Sequence, residues 1–562
     1  MPDEVIDDLH EQRSQEEEDK HCRCRHHKEQ KERDLEGEGS LLKNAYYTRV
    51  SNQYSTSQVQ ERTKRVPRGK PSFAQIRNAC LEQGGLYEDP EFPPNAFSIN
   101  FNGVTKRNYE WKRPHEICQD PHLFVEGASR FDIQQGELGD CWVLAAVSNL
   151  TQNQKLFHIV VPRDQSISHH YAGVFHFRFW QYGRWVEVIV DDLLPTFMNQ
   201  LMFMHSKTTN EFWCALLEKA YAKLYGGYEA LRGGNVSESM IDLTGGVVEM
   251  FNLREAPPNL FKIMHKSYRR RALMGCAIEP ANPNAPAEAV QPNGLIQRHA
   301  YSVTRVSEVD ISVVRPSAKS KVKLVRIHNP WGNEAEWTGA WSDESEQWKM
   351  LSKEEKQRLE LTYDDDGEFW MTYEDFTTNF TSLEICNLVP ETMEDDEDVN
   401  EQQPQQDTSQ DWKILQFEGA WIDGFTAGGC RNFLNTFATN PQFPVYLCDP
   451  DDEDDDDSCS LVISIMQKHV RQQKRFGKDY IPIGFTIYKQ PQEVPPGQAL
   501  DVEFFKYNQS YAKVPFFLNT SQDQNTARFR FQSGVYVIIP STFDPHMEGE
   551  FLLRCFVEYK KN

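Results

Sequence analysis

Long apolar runs are missing from this 562-residue chain. No stretch approaches the roughly 18 consecutive apolar residues of a membrane-spanning helix, so helical membrane insertion is excluded as its organising principle. The opening Met1-Pro2-Asp3-Glu4 has neither a basic segment nor an apolar one behind it, and no secretory leader is expected. Cysteine is sparse. Twelve in the whole chain, without dense regular spacing, exclude a disulfide framework and read as the reduced thiols of a cytoplasmic protein. Positive charge is in deficit: 60 Lys and Arg stand against 84 Asp and Glu, a formal charge of −24. That balance argues against nucleic acid as a partner and suits a soluble protein that handles cations. No calcium loop of the D-x-[DN]-x-[DN]-G type is present, and no internal repeat stands out. The length allows about three or four domains.

What is present divides the chain into five stretches. Residues 1–70 are polar, charge-dense and poor in aromatic clusters, the composition of disorder. Within them His21-Cys22-Arg23-Cys24-Arg25-His26-His27 has soft metal donors, but its C-x-C spacing is not that of a zinc finger, and a solvated tail is the simpler reading. Residues 71–233 read as mainly helical. Their strongest segment, Phe212–Tyr221, has apolar positions three and four apart and is expected to end near Gly233-Gly234, a candidate hinge. From 234 to 388 the signal turns to strands, with partial alternation in Ala300–Thr304 and a β-branched run in Val322–Ile327. Residues 389–411, with Glu394–Asp398 and a Gln-rich run, form an acidic linker. In 412–562 the runs Val445–Leu447, Leu461–Met466, Pro482–Tyr488, Gly534–Pro540 and Phe551–Val557 alternate with turns, as in an antiparallel β-sandwich. The class is therefore α+β, with a helical lobe and a β lobe whose cleft is the expected site.

The chemistry concentrates in Gln135-Gly136-Glu137-Leu138-Gly139-Asp140-Cys141-Trp142. A glycine-containing turn delivers Cys141 to the first turn of an apolar helix, Cys141–Leu150, where free amides and the helix dipole favour a thiolate. Asp140 is placed to cap that helix with its side chain, and Gly136 and Gly139 let the backbone turn tightly. Gln135 is placed to aim its amide at an oxyanion, with the Cys141 backbone N–H as a second donor. A nucleophile of this kind needs a base and a group that orients the base, and His299 and Asn329 follow in that order. Each residue alone has a plainer reading: a buried structural cysteine, a satisfied strand histidine, and the start of the turn Asn329-Pro330-Trp331-Gly332. The order Cys, His, Asn is that of a papain-like cysteine protease.

These strings, with His299-Ala300-Tyr301-Ser302-Val303, Glu336-Trp337-Thr338-Gly339-Ala340-Trp341, Asp366-Gly367-Glu368-Phe369-Trp370 and Thr426-Ala427-Gly428-Gly429-Cys430-Arg431-Asn432, resemble the calpains, intracellular calcium-dependent cysteine proteases. The resemblance runs from about Pro71 to the end. It implies a papain-like two-lobed core followed by a β-sandwich. Cys141 is the implied nucleophile, His299 the general base and acid, Asn329 the orienter and Gln135 the oxyanion donor, with Trp331 shielding the Asn–His hydrogen bond. It also implies Ca²⁺ as cofactor, one site per lobe. The matching positions are Val125 and Gly127 (through carbonyls), Asp132 and Glu211 in the first, and Glu336, Asp343, Asp366, Glu368 and the Asp364 carbonyl in the second. Protein substrates are the implied partners. The matching sandwich carries an acidic loop, here Asp449–Asp457, near a basic stretch, Lys468–Lys478, and the resemblance suggests that this region responds to calcium, phospholipid or a membrane surface. The plainer reading of both is solvated faces.

Two departures bear on activity and partners. The chain stops at Asn562 without the five-EF-hand domain of conventional calpains, so dimerisation with a small subunit through EF-hands is not expected. Arg298 stands where many calpains have Gly, and a guanidinium there is expected to crowd the cleft or disfavour a neighbouring imidazolium. His328 stands where Arg is common. The reading is a calcium-regulated cytoplasmic cysteine endopeptidase performing limited proteolysis. Its rival is a weakly active calpain-like protein that binds partners in response to calcium.

Overall fold

A computed structural model describes residues 71–279, 288–311, 321–332, 335–363, 366–388, 411–448, 458–495, 498–514, 517 and 524–559. The Cys/His-containing tail, most of the acidic linker, the loop Asp449–Asp457 and Asp364 lie outside the described residues. Among the described residues no helix is long and apolar enough to cross a membrane.

The first core gathers around helix α1 (Cys141–Leu150), buried along its whole length after Cys141 itself. Helix α2 (Trp213–Tyr225) packs beside it, running past the expected Tyr221 and stopping at Gly226, not at Gly233-Gly234. Its charged residues are not a solvent stripe. Lys219 Nζ and Asp191 pair with neither side chain exposed, and Lys223 binds Asp89 Oδ2 at 2.6 Å. Residues 71–233 are also less helical than expected. Strands β1 (Val174–Gln181) and β2 (Arg184–Asp191) form an antiparallel hairpin whose two-residue turn, Tyr182-Gly183, has positive φ at both positions. Smaller strands at 110–112, 194–197 and 200–201 form a second sheet.

Beyond Gly233 the first core continues through helix α3 (Val236–Thr244), and a further helix, α4 (Leu260–Arg269), interrupts the strand-rich stretch. Strands β3 (Val247–Asn252), β4 (Leu273–Ala277), β5 (Ala300–Asp310), β6 (Lys321–His328), β7 (Glu368–Thr372) and β8 (Ser382–Asn387) form one antiparallel sheet in the order β7-β6-β5-β4-β8-β3. A second core of Met274, Tyr301, Val303, Ile327 and Phe369 lies on it. Helix α1 is tied to this sheet by polar contacts: Ser302 Oγ donates to Ala145 O at 2.8 Å, Asn149 Nδ2 donates to Met274 O at 2.8 Å, and Ser148 Oγ meets His328 Nδ1 at 3.1 Å.

The remaining strands are β9 (Asp411–Trp421), β10 (Phe443–Leu447), β11 (Ser458–Gln467), β12 (Ile483–Lys489), β13 (Ala512–Lys513), β14 (Gln524–Gln532), β15 (Gly534–Thr542) and β16 (Gly549–Tyr559). They make two four-stranded antiparallel sheets, β9-β16-β11-β14 and β10-β15-β12-β13, around Val445, Ile463, Ile487, Ile538 and Leu553. The five expected strand runs each fall on one of these. Strand β9, whose apolar residues are broken up by Lys413, Gln416 and Glu418, and strand β14, rich in Gln and Arg, lack the apolar runs that marked the others.

The sandwich grips the rest of the molecule through buried arginines. Arg471, in the basic stretch, is 2% exposed and pairs with Glu238 of α3. Its Nη1 donates to Ala230 O at 2.8 Å and Gly233 O at 3.2 Å, and its guanidinium lies 4.3 Å from the centroid of the Trp142 ring. A Cβ on Gly234 would fall 2.5 Å from Trp142 Cε2 and 2.7 Å from Arg471 Nη2, so this glycine makes the room for that stack. Arg554 of β16 donates to Gly246 O at 2.9 Å and Gly245 O, and lies over Trp180.

Candidate active site

The loop before α1 is shaped by close backbone packing. A Cβ on Gly136 would meet Met202 O at 2.3 Å and Phe203 O at 2.4 Å, so this position requires glycine, while Gly139 has nothing nearer than Arg232 at 3.8 Å. Asp140 occupies the N-cap position but makes no side-chain cap hydrogen bond. Its fully buried carboxyl faces Glu218 of α2, and burial raises it to about 7 and raises Glu218 as well. Neither Asp140 oxygen has a hydrogen-bond partner among the described residues, and two buried acids near one another do not readily both ionise, so Asp140 is a buried acid and not the expected cap. Cys141, half-buried, begins the helix, where its amide has no intrahelical acceptor.

His299 comes from the sheet side, immediately before β5, and is 1% exposed. Its Nε2 donates to Asn329 Oδ1 at 2.7 Å, which turns Nδ1 toward Cys141. Asn329 is itself locked: Nδ2 donates to Ala335 O at 3.0 Å, Oδ1 also accepts from Trp331 N at 3.1 Å, and its backbone N donates to Gly367 O at 2.8 Å. The Trp331 ring centroid stands 5.2 Å from that of the imidazole, the two rings tilted to one another. Burial alone would lower His299, but the neighbouring Cys141, Glu288 and Asn329, which all favour the charged ring, outweigh it and hold the imidazole at about 9. The imidazolium is thus favoured, contrary to the expected effect of Arg298. That residue is exposed and has φ of 53°, the left-handed region in which glycine is at ease. What the position selects for is backbone conformation, which costs an arginine about 1–2 kcal/mol.

Glu288 was not singled out from the sequence. Its Oε1 lies 3.6 Å from His299 Nδ1 and accepts from Gln135 Nε2 at 3.4 Å. Gln135 Nε2 also donates to Leu138 O at 3.1 Å. A carboxylate oxygen therefore stands between the base and the expected oxyanion donor. Glu288 lies in a loop whose neighbours carry no motif, and nothing in the sequence marks it.

The two acidic clusters differ. In the first, Glu211 is 2% exposed and accepts from Val125 N and Ser206 Oγ, both at 2.7 Å. Burial, with Asp132 adding to it, raises Glu211 to about 7, and Asp132 is raised by burial too. Between Val125 and Asp132 the chain passes through Glu126 and Gly127 with φ of 58° and 98°, which curls the backbone beside these carboxyls. Buried acids gathered against their own repulsion fit a hard cation that takes oxygen ligands. In the second cluster Glu336 Oε1 accepts from Gly367 N at 2.8 Å and Asp366 Oδ1 from Glu368 N at 2.8 Å, and Asp343 is half-buried. Glu368 is different. Arg130, two turns of chain from Gln135, donates Nε and Nη2 to its two oxygens at 2.8 Å each, tying the Cys141 side of the molecule to the sheet. Burial opposes its charge, but Arg326 and Arg130 outweigh that and hold the carboxyl below its ordinary value.

His328 is fully buried, its ring edge-on to Phe131 and its Nδ1 on Ser148. Burial lowers it to about 4, so it sits neutral in the seam between α1 and the sheet.

Comparison with known proteins agrees with this geometry. Residues 87–387 match the model described as calpain family cysteine protease, and 417–556 match that for calpain large subunit, domain III. Calpain-B of Drosophila melanogaster is 50% identical over 493 residues, covering 88% of this chain and 52% of that protein. Calpain-9 of Homo sapiens is 45% identical over 489 residues, 87% of this chain and 67% of the relative, and the calpain-2 catalytic subunit of Mus musculus is 45% identical over 498, 87% and 68%. The chain thus spans about half to two thirds of the length of these relatives. With one family model spanning more than half of its residues, and the Cys141–His299–Asn329 constellation inside that span, the chain belongs to the calpain family of cysteine proteases.

Proposed function

We propose that the protein is a calcium-regulated cysteine endopeptidase of the cytoplasm, with a papain-like two-lobed core, that cleaves exposed segments of other proteins. The observation that carries this reading is the wiring of His299, held by Asn329 at one nitrogen and presenting the other to Cys141. In the reaction the Cys141 sulfur attacks the peptide carbonyl, Gln135 Nε2 and the Cys141 amide receive the oxyanion, and His299 protonates the leaving amine. The base then takes a proton from water, which hydrolyses the thioester. For Gln135 to act, Glu288 Oε1 must give up its place to the substrate oxygen.

Val125, Gly127, Asp132 and Glu211, and separately Glu336, Asp343, Asp366 and Glu368 with the Asp364 carbonyl, would hold calcium. Bound there, the ion would supply positive charge that neutralises clustered carboxylates. An electrophilic thiol probe tests the reading. Calcium-dependent labelling of wild type that is lost in Cys141→Ala supports the enzyme. Labelling unaffected by both excess chelator and the substitution sinks it and favours the binding-protein rival. Buried Cys214, Cys276 and Cys386 are pushed up by burial and stay protonated, but exposed Cys448 makes the variant control necessary.

Two further outcomes are expected. Asp132→Asn removes one charge from the first cluster and is expected to raise the calcium concentration for half-maximal cleavage about tenfold. An unchanged calcium titration would remove Asp132 from the site. For pH, the active imidazolium is lost as pH rises through about 9, so kcat/KM is expected to fall there. Glu288→Gln withdraws an anion that favours the imidazolium, and the basic limb is expected to move to lower pH. A limb that stays in place would show that Glu288 does not act on His299.

A further inference from the structure

We infer that Cys141, His299 and Glu288 form an inhibitory site for a zinc-class divalent cation. Cys141 Sγ, a His299 ring nitrogen and a Glu288 carboxylate oxygen all lie within 4.8 Å of one another. In a tetrahedral zinc site ligand atoms stand about 3.3–3.6 Å apart, from bond lengths of about 2.0–2.3 Å. His299 Nδ1 and Glu288 Oε1 are already 3.6 Å apart, and a small contraction of the half-exposed Glu288 side chain would close the rest. Two more observations point to a ligand. His299 Nδ1 is buried, aimed into this cluster, and makes no hydrogen bond among the described residues. Its other nitrogen, Nε2, donates to Asn329 Oδ1 at 2.7 Å, the second-sphere contact that fixes the tautomer of a ligating imidazole. One thiolate, one imidazole and one carboxylate leave a fourth position for water. This soft and borderline donor set selects zinc over calcium.

Binding is a simple exchange: the metal takes the place of whatever protons the Cys141 sulfur and His299 Nδ1 carry, and those protons are released to solvent. No electron transfer is involved. The binding claim stands on geometry alone, whereas its consequence for proteolysis rests on the endopeptidase reading. Occupation would engage the nucleophile and the base together, and hold Glu288 in the place that the substrate oxygen needs.

Co²⁺ is the probe, used on the full chain carrying Cys22→Ser and Cys24→Ser so that the tail does not contribute thiolates. One equivalent is expected to give a thiolate-to-cobalt charge-transfer band with release of protons, and Zn²⁺ should displace it. Cys141→Ser should abolish the band, and Glu288→Ala should weaken Co²⁺ at least about tenfold, as loss of an anionic ligand would. Thermal melting of each variant checks that it is folded. No band, or a band that persists in Cys141→Ser, overturns the site. Unchanged affinity in folded Glu288→Ala overturns the three-ligand assignment. Zinc is also expected to block labelling of Cys141 by the thiol probe, and a chelator to restore it. A cobalt band on a protein that never cleaves peptide would leave the metal site standing and sink the endopeptidase reading instead.

Discussion

Alanine at Cys141 is expected to lower kcat/KM for peptide cleavage by about 10⁴- to 10⁶-fold, the cost of removing a nucleophile that acts in concert with its base. The loss should appear in kcat, because the substituted atom takes part only once substrate is bound. The fold should survive. Cys141 is half-buried at the start of α1, and removing its sulfur leaves the core behind Trp142 untouched. His299→Ala should cost nearly as much, and the double variant should cost little more than either, since the two groups act as a unit. Asn329→Ala tests the orienter. It removes the partner of Nε2 and leaves the imidazole free to rotate, so a smaller loss is expected, with the basic limb of the pH profile displaced downward because Asn329 is among the groups that hold His299 up. Steady-state kinetics in saturating calcium, with melting curves as the control, measures all four. If Cys141→Ala retained cleavage within tenfold of wild type, the nucleophile would be another residue.

The convergence of Cys141, His299 and Asn329 was legible because each sits in a local string whose chemistry is local: a glycine-containing turn into an apolar helix, a histidine opening a strand, an Asn-Pro turn closing the neighbouring strand. The sheet strands that carry them were legible for the same reason, through β-branched runs such as Val322–Ile327. What escaped needs partners far along the chain. Lys219 and Glu218 look like the wet side of an amphipathic helix until Asp191 and Asp140 are found against them. Asp140 was assigned a cap from its position, and the burial that turns its carboxyl inward is a property of α2. Glu288 enters the site only through contacts with Gln135, far away in the chain, and with His299. The hairpin of β1 and β2 alternates in a way that could have been read, but β1 is buried at all but one of its positions, which blurs the period of two. The basic stretch Lys468–Lys478 shows the same difficulty at the scale of whole domains: charge density in a sequence signals solvent, and one of its arginines is in the interior.

That arginine carries the second large effect. Arg471→Ala is expected to destabilise the chain by about 3–5 kcal/mol, because it leaves the Glu238 carboxylate buried without its cation. Glu238 keeps the Tyr480 hydroxyl, at 3.2 Å, and the nearby charge of Lys474, but no hydrogen-bonded cation among the described residues. The same substitution strips the guanidinium from the face of Trp142 and unties Ala230 O and Gly233 O, so the seam between the sandwich and the first core loses four contacts at once. Trp142 follows the nucleophile directly in α1, and a looser Trp142 would let Cys141 wander from His299. A fall in kcat of about tenfold is therefore expected with KM little changed, since a misplacement of the reacting atoms acts on the transition state. Glu238→Gln combined with Arg471→Met separates the two effects. It removes both charges while filling the space, and should recover most of the stability, as replacement of a buried pair by apolar groups often does. Activity need not return with it, because Met lacks the planar cation that stacks on Trp142. Chemical denaturation of the full chain reads the stability, and kcat at saturating calcium reads the position of Cys141. If Arg471→Ala unfolds with an unchanged midpoint, the ion pair does not hold the sandwich against the core. If stability falls while kcat does not, the contact fastens the domains together without reaching the nucleophile.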